Sequence, residues 1–150
     1  MINIKKLFKY KKLLNWYPPF MGAGIRIKEY SNLGNSYLVE MKLRWYNRNV
    51  AGTHFGGSLY AMTDPFYVFA AYSYFGDDYI IWDKSAFIEY VRPGVGTVTA
   101  LFEIPEVKLA EMKSEVDRIG KNTYHFEAEI LDSQNRVVSK VNKEIYIRRK

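Results

Sequence analysis

Residues with chemical capability concentrate between Asn49 and Pro65. A polar turn containing Gly52, His54, Gly56 and Gly57 opens into an apolar run from Ser58 to Phe75, and that run holds one carboxylate, Asp64. Two adjacent glycines let the backbone bend tightly and approach a ligand. If a helix starts at this turn, its first N–H groups have no partner within the helix. They lie at the positive end of the helix dipole. A carbonyl oxygen gaining negative charge, or an anion, is stabilised at such a place. Asp64 is expected about two turns further along, buried among apolar residues. An amide donor and a carboxylate base are the parts needed to hydrolyse an activated acyl group.

Each of these residues also has a purely structural reading. Asp64 could bond Ser, Tyr or a freed backbone group, since burying a bare carboxylate is costly. Gly56 and Gly57 could form only a tight turn. His54 reads better as a hydrogen-bonding brace than as a base, because no partner in the sequence tunes it. Asn47 and Asn49 suit loop bracing. Asn49 could instead hold a catalytic water. Asp83, Lys84 and Glu89 read as a charge set on an edge strand. Arg92 suits a phosphate or an ion pair with Glu89 or Glu103.

Composition narrows the field. A chain of 150 residues fits one domain. It is 48% apolar and 17% aromatic, with 13 Tyr and 9 Phe, which is enough to build a core and polar-rimmed pockets. Cysteine is absent, so there is no disulfide framework and no thiolate nucleophile or ligand. With two histidines, His54 and His125, no metal centre is expected. No cofactor is expected either. The net charge of +6 comes largely from both ends, from Lys5 to Lys12 and from Arg148 to Lys150. It accompanies no nucleic-acid-binding motif. Lysines interrupt the apolar residues of the first 17 positions, so the start reads as an amphipathic helix of the same domain and not as a leader. A cytoplasmic protein without stable membrane insertion is expected.

The positioning elements follow from periodicity. Residues 24–30 and 37–45 read as strands forming a hairpin. Residues 47–55 form a loop. Residues 56–75 form a central helix, kinked at Pro65 with the Ala61 carbonyl freed. Strands follow at 79–92 and 96–105 as neighbours. A short surface helix spans 106–119, with Val107, Met112 and Val116 as its apolar side. Strands at 123–131 and 136–148 close the chain. Short turns between strands imply an antiparallel sheet, which must cover the apolar helix.

This arrangement resembles the α+β hot-dog fold, a curved antiparallel sheet wrapped around one long central helix. Asn49, Gly52, His54, Gly56-Gly57 and Asp64, with the later stretch Phe87 to Gly94, carry the likeness. They resemble the phenylacetate-pathway type of acyl-CoA thioesterase, and more closely an uncharacterised bacterial branch of thioesterase-like hot-dog proteins. The resemblance implies that the Gly57 N–H polarises a thioester carbonyl and that Asp64 activates water or attacks. It implies that His54 shapes the turn and Asn49 assists. Gly56, Ser58 and Arg92 would contact the substrate, an acyl-CoA or acyl-carrier thioester. It further implies a homodimer, or a dimer of dimers, in which Asp64 faces Gly57 of the partner subunit. The chain reads His54-Phe-Gly-Gly where the family usually reads His-Gly-Gly, and Pro65 follows the carboxylate directly. Two rival functions share the fold: a non-catalytic acyl-binding or structural protein, and an acyl-thioester dehydratase.

Overall fold

Alternating apolar and polar residues build six strands: β1 (Ile25–Tyr30), β2 (Ser36–Lys42), β3 (Tyr79–Tyr90), β4 (Thr97–Glu103), β5 (Lys121–Asp132) and β6 (Val137–Arg149). The computed structural model describes residues 11–150. Most of the expected N-terminal amphipathic helix lies outside the described residues. Lys11–Trp16 forms a 3-10 turn. Pro18–Ala23 is a short helix, α1, because proline is tolerated at the first helical positions.

The strands form one antiparallel sheet in the order β1-β2-β4-β5-β6-β3. β1 and β2 pair as the expected hairpin. β3 and β4 are not neighbours: β3 pairs with β6 at the sheet edge, and β4 lies between β2 and β5. The linking residues explain this. The amides of Val91 and Arg92 donate to the Val138 carbonyl, and the Gly94 carbonyl accepts the His54 N–H. The link is therefore drawn across the end of the sheet toward the 47–55 loop and makes no hairpin turn.

The apolar run 56–75 lies against the sheet in two pieces, α2 (Gly56–Ala61) and α3 (Phe66–Phe75). Pro65 has no N–H to give and disfavours helical geometry at Asp64, so the kink is a full break. The Asp64–Pro65 peptide bond is cis. The Ala61 carbonyl is not freed; it accepts the Asp64 N–H at 3.3 Å. Aromatic rings hold α3 to the sheet. Phe66 stacks on Phe102 at 5.1 Å and Tyr67 on Phe126 at 4.8 Å. Ala70 and Ala71 are fully buried and let the helix approach closely. The surface helix α4 (Glu106–Ile119) packs through Leu109, Met112 and Val116, while Val107 is exposed. Leu109 stands three residues before Met112 and shares its face; Val107 does not.

Candidate active site

The 47–55 loop is tied down before the helix begins. Asn47 is buried; its amide donates to the Ala23 and Lys42 carbonyls, and its oxygen accepts the Arg44 N–H. Asn49 accepts the N–H groups of Ala51 and Thr53, and donates to the Thr53 hydroxyl and the His54 carbonyl. Its side chain is thus committed to the loop.

His54 is buried, with Nε2 3.0 Å from the Gly96 carbonyl. A carbonyl only accepts, so Nε2 carries the proton and Nδ1 is bare. Nδ1 has no partner. Burial pushes the imidazole below its usual pKa, against the opposing effect of the Gly96 carbonyl. The geometry is that of a neutral brace pinning the loop to the 91–96 link. A testable consequence follows. In the unfolded chain the ring titrates near its ordinary value of about 6.5. On acidification protons bind the unfolded chain first, so this residue lowers stability as pH falls below about 6.5. His54→Gln retains a donor for Gly96, so its melting temperature is expected to fall less than the wild type's between about pH 6.5 and 5. Parallel thermal melts check this; equal slopes would show that His54 does not titrate in that window.

At the turn itself, neither Gly56 nor Gly57 donates its amide to a backbone carbonyl among the described residues. Tyr90, the last residue of β3, donates its hydroxyl to the Gly56 carbonyl at 3.0 Å and so fixes the start of α2. Phe55 lies across Gly57: a Cβ on Gly57 would stand 2.4 Å from the Phe55 ring. Ser58 is buried beneath the turn. Arg92 is exposed, and among the described residues its guanidinium pairs with neither Glu89 nor Glu103.

Asp64 is not buried among apolar side chains as expected; it is exposed. The helix break turns it out toward the β3 edge. There its carboxyl neighbours that of Asp83 and raises the proton affinity of Asp83. Asp83 in turn lies 3.0 Å from the ammonium of Lys143 on β6. The Lys143 side chain is only 1% exposed. Burial pushes Asp83 up to about 6; Lys143 opposes that rise and the Asp64 carboxyl adds to it. Asp83 thus belongs with Asp64, while Lys84 pairs with Glu144 on the strand beside it. Sequence reasoning missed Lys143 and Tyr90, and saw Phe55 only as an extra residue in the turn. Only Lys143 left a clear signal: it shares inward parity with Val141 and Ile145, where a cation is out of place.

The described residues contain no group of three or more His, Asp or Glu able to hold a metal ion. None of their helices is long and apolar enough to cross a membrane. What the arrangement offers chemically is a carboxyl pair at one end of α2 and free amide N–H groups at the other.

A curved antiparallel sheet closed over a central helix, with a glycine turn at the helix start, is the hot-dog fold. By sequence the chain belongs to the DUF4442 family, a domain of unknown function, over residues 5–147. Solved structures share the fold across nearly the whole length. A protein of unknown function from Pseudomonas aeruginosa, described as a probable thioesterase, superposes with a TM-score of 0.76 at 17% identity, covering 96% of this chain and 92% of that one. A protein of unknown function from Chlorobaculum tepidum gives 0.76 at 22% identity, covering 97% and 94%. A thioesterase from Haemophilus influenzae gives 0.69 at 13% identity, covering 94% and 90%. The curated proteins give no match.

Proposed function

We propose that this protein hydrolyses an acyl thioester, carried by coenzyme A or an acyl-carrier protein, to a free acid and a thiol. The observation that carries the reading is the placement of Asp64. Among the described residues, an exposed carboxylate and two unbonded amide N–H groups stand at opposite ends of α2, on the side of the molecule where β3 has no further strand. Asp64 takes a proton from water as the water oxygen bonds the thioester carbon. The carbonyl oxygen becomes an oxyanion held by the Gly57 N–H. Collapse breaks the carbon–sulfur bond, and the thiolate leaves with the proton that Asp64 took. Water and thioester are thereby converted to acid and thiol.

One chain does not bring both ends of α2 to one carbon: Gly57 and Ala61 stand about 6 Å apart along its axis, and Asp64 lies three residues beyond. The unpaired β3 edge supports assembly of a second copy, as a homodimer or a dimer of dimers. It runs for 12 residues and exposes Trp82, Phe87 and Tyr90, an apolar edge that isolated proteins normally cover. In that dimer Asp64 of one copy serves Gly57 of the partner subunit. Arg92, exposed beyond the end of β3, suits a coenzyme phosphate. Asn49 and His54 shape the turn from behind. The absence of cysteine is compatible with a reducing cytoplasm. The experiment is thiol release from a panel of aliphatic and aromatic acyl-CoA and acyl-carrier thioesters. Turnover of at least one class above the buffer rate is expected. A folded protein that turns over none of them would favour the non-catalytic acyl-binding reading.

A further inference from the structure

Beneath the break between α2 and α3 lies a charge that the hydrolysis scheme does not use. Lys143 points from β6 into the concave face of the sheet, between the inward residues Val141 and Ile145. Its cross-strand neighbours are Ala86 on β3 and Phe126 on β5. Phe126 is stacked on Tyr67 of α3, which makes that wall apolar. From α2, the Tyr60 ring stands 5.9 Å from the ammonium. The anion in direct contact is Asp83 at 3.0 Å, and the Asp64 carboxyl neighbours Asp83 and raises its proton affinity. The other nearby charges lie elsewhere: Glu144 is taken up by Lys84, Ser85 and His125.

Burying an ammonium and a carboxyl is expensive, and well-packed apolar residues often replace such a pair without loss of stability. The pair therefore calls for a reason beyond stability. Its position supplies one, since its outer member neighbours the exposed carboxylate of the site.

We propose that Asp83 and Lys143 are positioning residues: the Lys143 ammonium holds the Asp83 carboxyl against Asp64, so that the two carboxyls act as one proton-sharing pair. The proposal rests on the reading of Asp64 as the base. At low pH the Asp83 carboxyl keeps its proton and offers it to the facing Asp64 carboxylate, which occupies the oxygen that would take a proton from water. As pH rises the proton leaves, because Lys143 offsets one of the two negative charges. Two carboxyls in contact cannot both ionise easily without such a cation.

The direct test follows carboxyl titration by NMR in protein labelled with 13C at the aspartate carboxyls, without any substrate. In the wild type one carboxyl is expected to titrate well above the ordinary aspartate value. Lys143→Met, which preserves length and removes charge, is expected to raise the proton affinity of that group tenfold or more. Lys143→Arg is expected to restore it toward the wild-type value. Asp64→Asn, which leaves Lys143 facing one carboxylate, is expected to lower the affinity. If folded Lys143→Met or Asp64→Asn protein leaves the titration unmoved, the proposal is overturned. Should Lys143→Met fail to fold, Asp64→Asn decides alone. The acid limb of kcat/KM should move in parallel: upward in pH for Lys143→Met, and downward for Asp83→Asn. A merely structural ion pair would lower activity without moving either limb. Matching NMR shifts in a protein that hydrolyses no thioester would sustain the coupled pair and remove only the hydrolase reading.

Discussion

Asp64→Asn is expected to lower thioester turnover by about 10²–10⁴-fold, the usual cost of losing a positioned base. Asparagine is nearly isosteric with aspartate but cannot accept the proton from water or act as a nucleophile. The fold should survive. Asp64 is exposed, its backbone N–H bonds the Ala61 carbonyl, and neither feature depends on the carboxylate. The substitution also removes a negative charge beside Asp83, which relieves the like-charge contact and so favours the native state. Loss of turnover should therefore come with an unchanged or slightly higher melting temperature. Steady-state kinetics on the best thioester, paired with a thermal melt, reads both. Full turnover in the variant would assign Asp64 a structural role.

Gly57→Val is expected to lower turnover by about 10²–10³-fold, as loss of one oxyanion donor does. The amide works only if a carbonyl oxygen comes within about 3 Å of it, and a β-branched side chain obstructs that approach. The backbone at Gly57 has no positive φ, so a side chain is not excluded by conformation. The obstacle within the chain is the Phe55 ring, 2.4 Å from a Cβ at this position. Phe55 is itself more than half exposed and can swing aside. A double variant separates the two effects. If Gly57→Val acts by displacing Phe55, adding Phe55→Ala restores turnover. If it acts by covering the amide, turnover stays low. Recovery to wild-type turnover would place the reacting carbonyl away from Gly57.

How far the chain announces this structure differs from element to element. The strands were legible because their alternation is regular: Tyr124, Ala128 and Ile130 face inward on β5 as their spacing requires. The central helix was legible as an apolar run too long for a strand. What local pattern could not reveal was the partner of β3. β3 finds β6, more than 45 residues away in sequence, because the 91–96 link is bonded to Val138 and His54, contacts invisible to periodicity. Asp64 was legible as the one carboxylate of its run, but not its exposure. A carboxylate inside an apolar run reads as buried unless the run breaks, and Pro65 breaks it fully. Asp83 reads as an ordinary strand charge, and Lys143 as a cation at an inward position with no visible partner. Only the pairing of β3 with β6 makes them partners. The extra Phe55 in the glycine turn was visible, but its place over Gly57 depends on the turn's shape.

The central claim is a site completed by two copies of the chain, and mixing two inactive variants tests it most directly. Asp64→Asn supplies an intact Gly57 turn, and Gly57→Val supplies an intact Asp64. Subunits are exchanged to equilibrium and the mixed dimers are counted by native mass spectrometry. If each site joins Gly57 of one copy to Asp64 of the other, half the dimers carry one intact site of two, and turnover returns to about a quarter of the wild-type rate. If both residues act within one chain, every site keeps a defect. Mixed dimers that form in full yet stay as inactive as their parents, or a chain that sediments only as a monomer, would contradict the shared site.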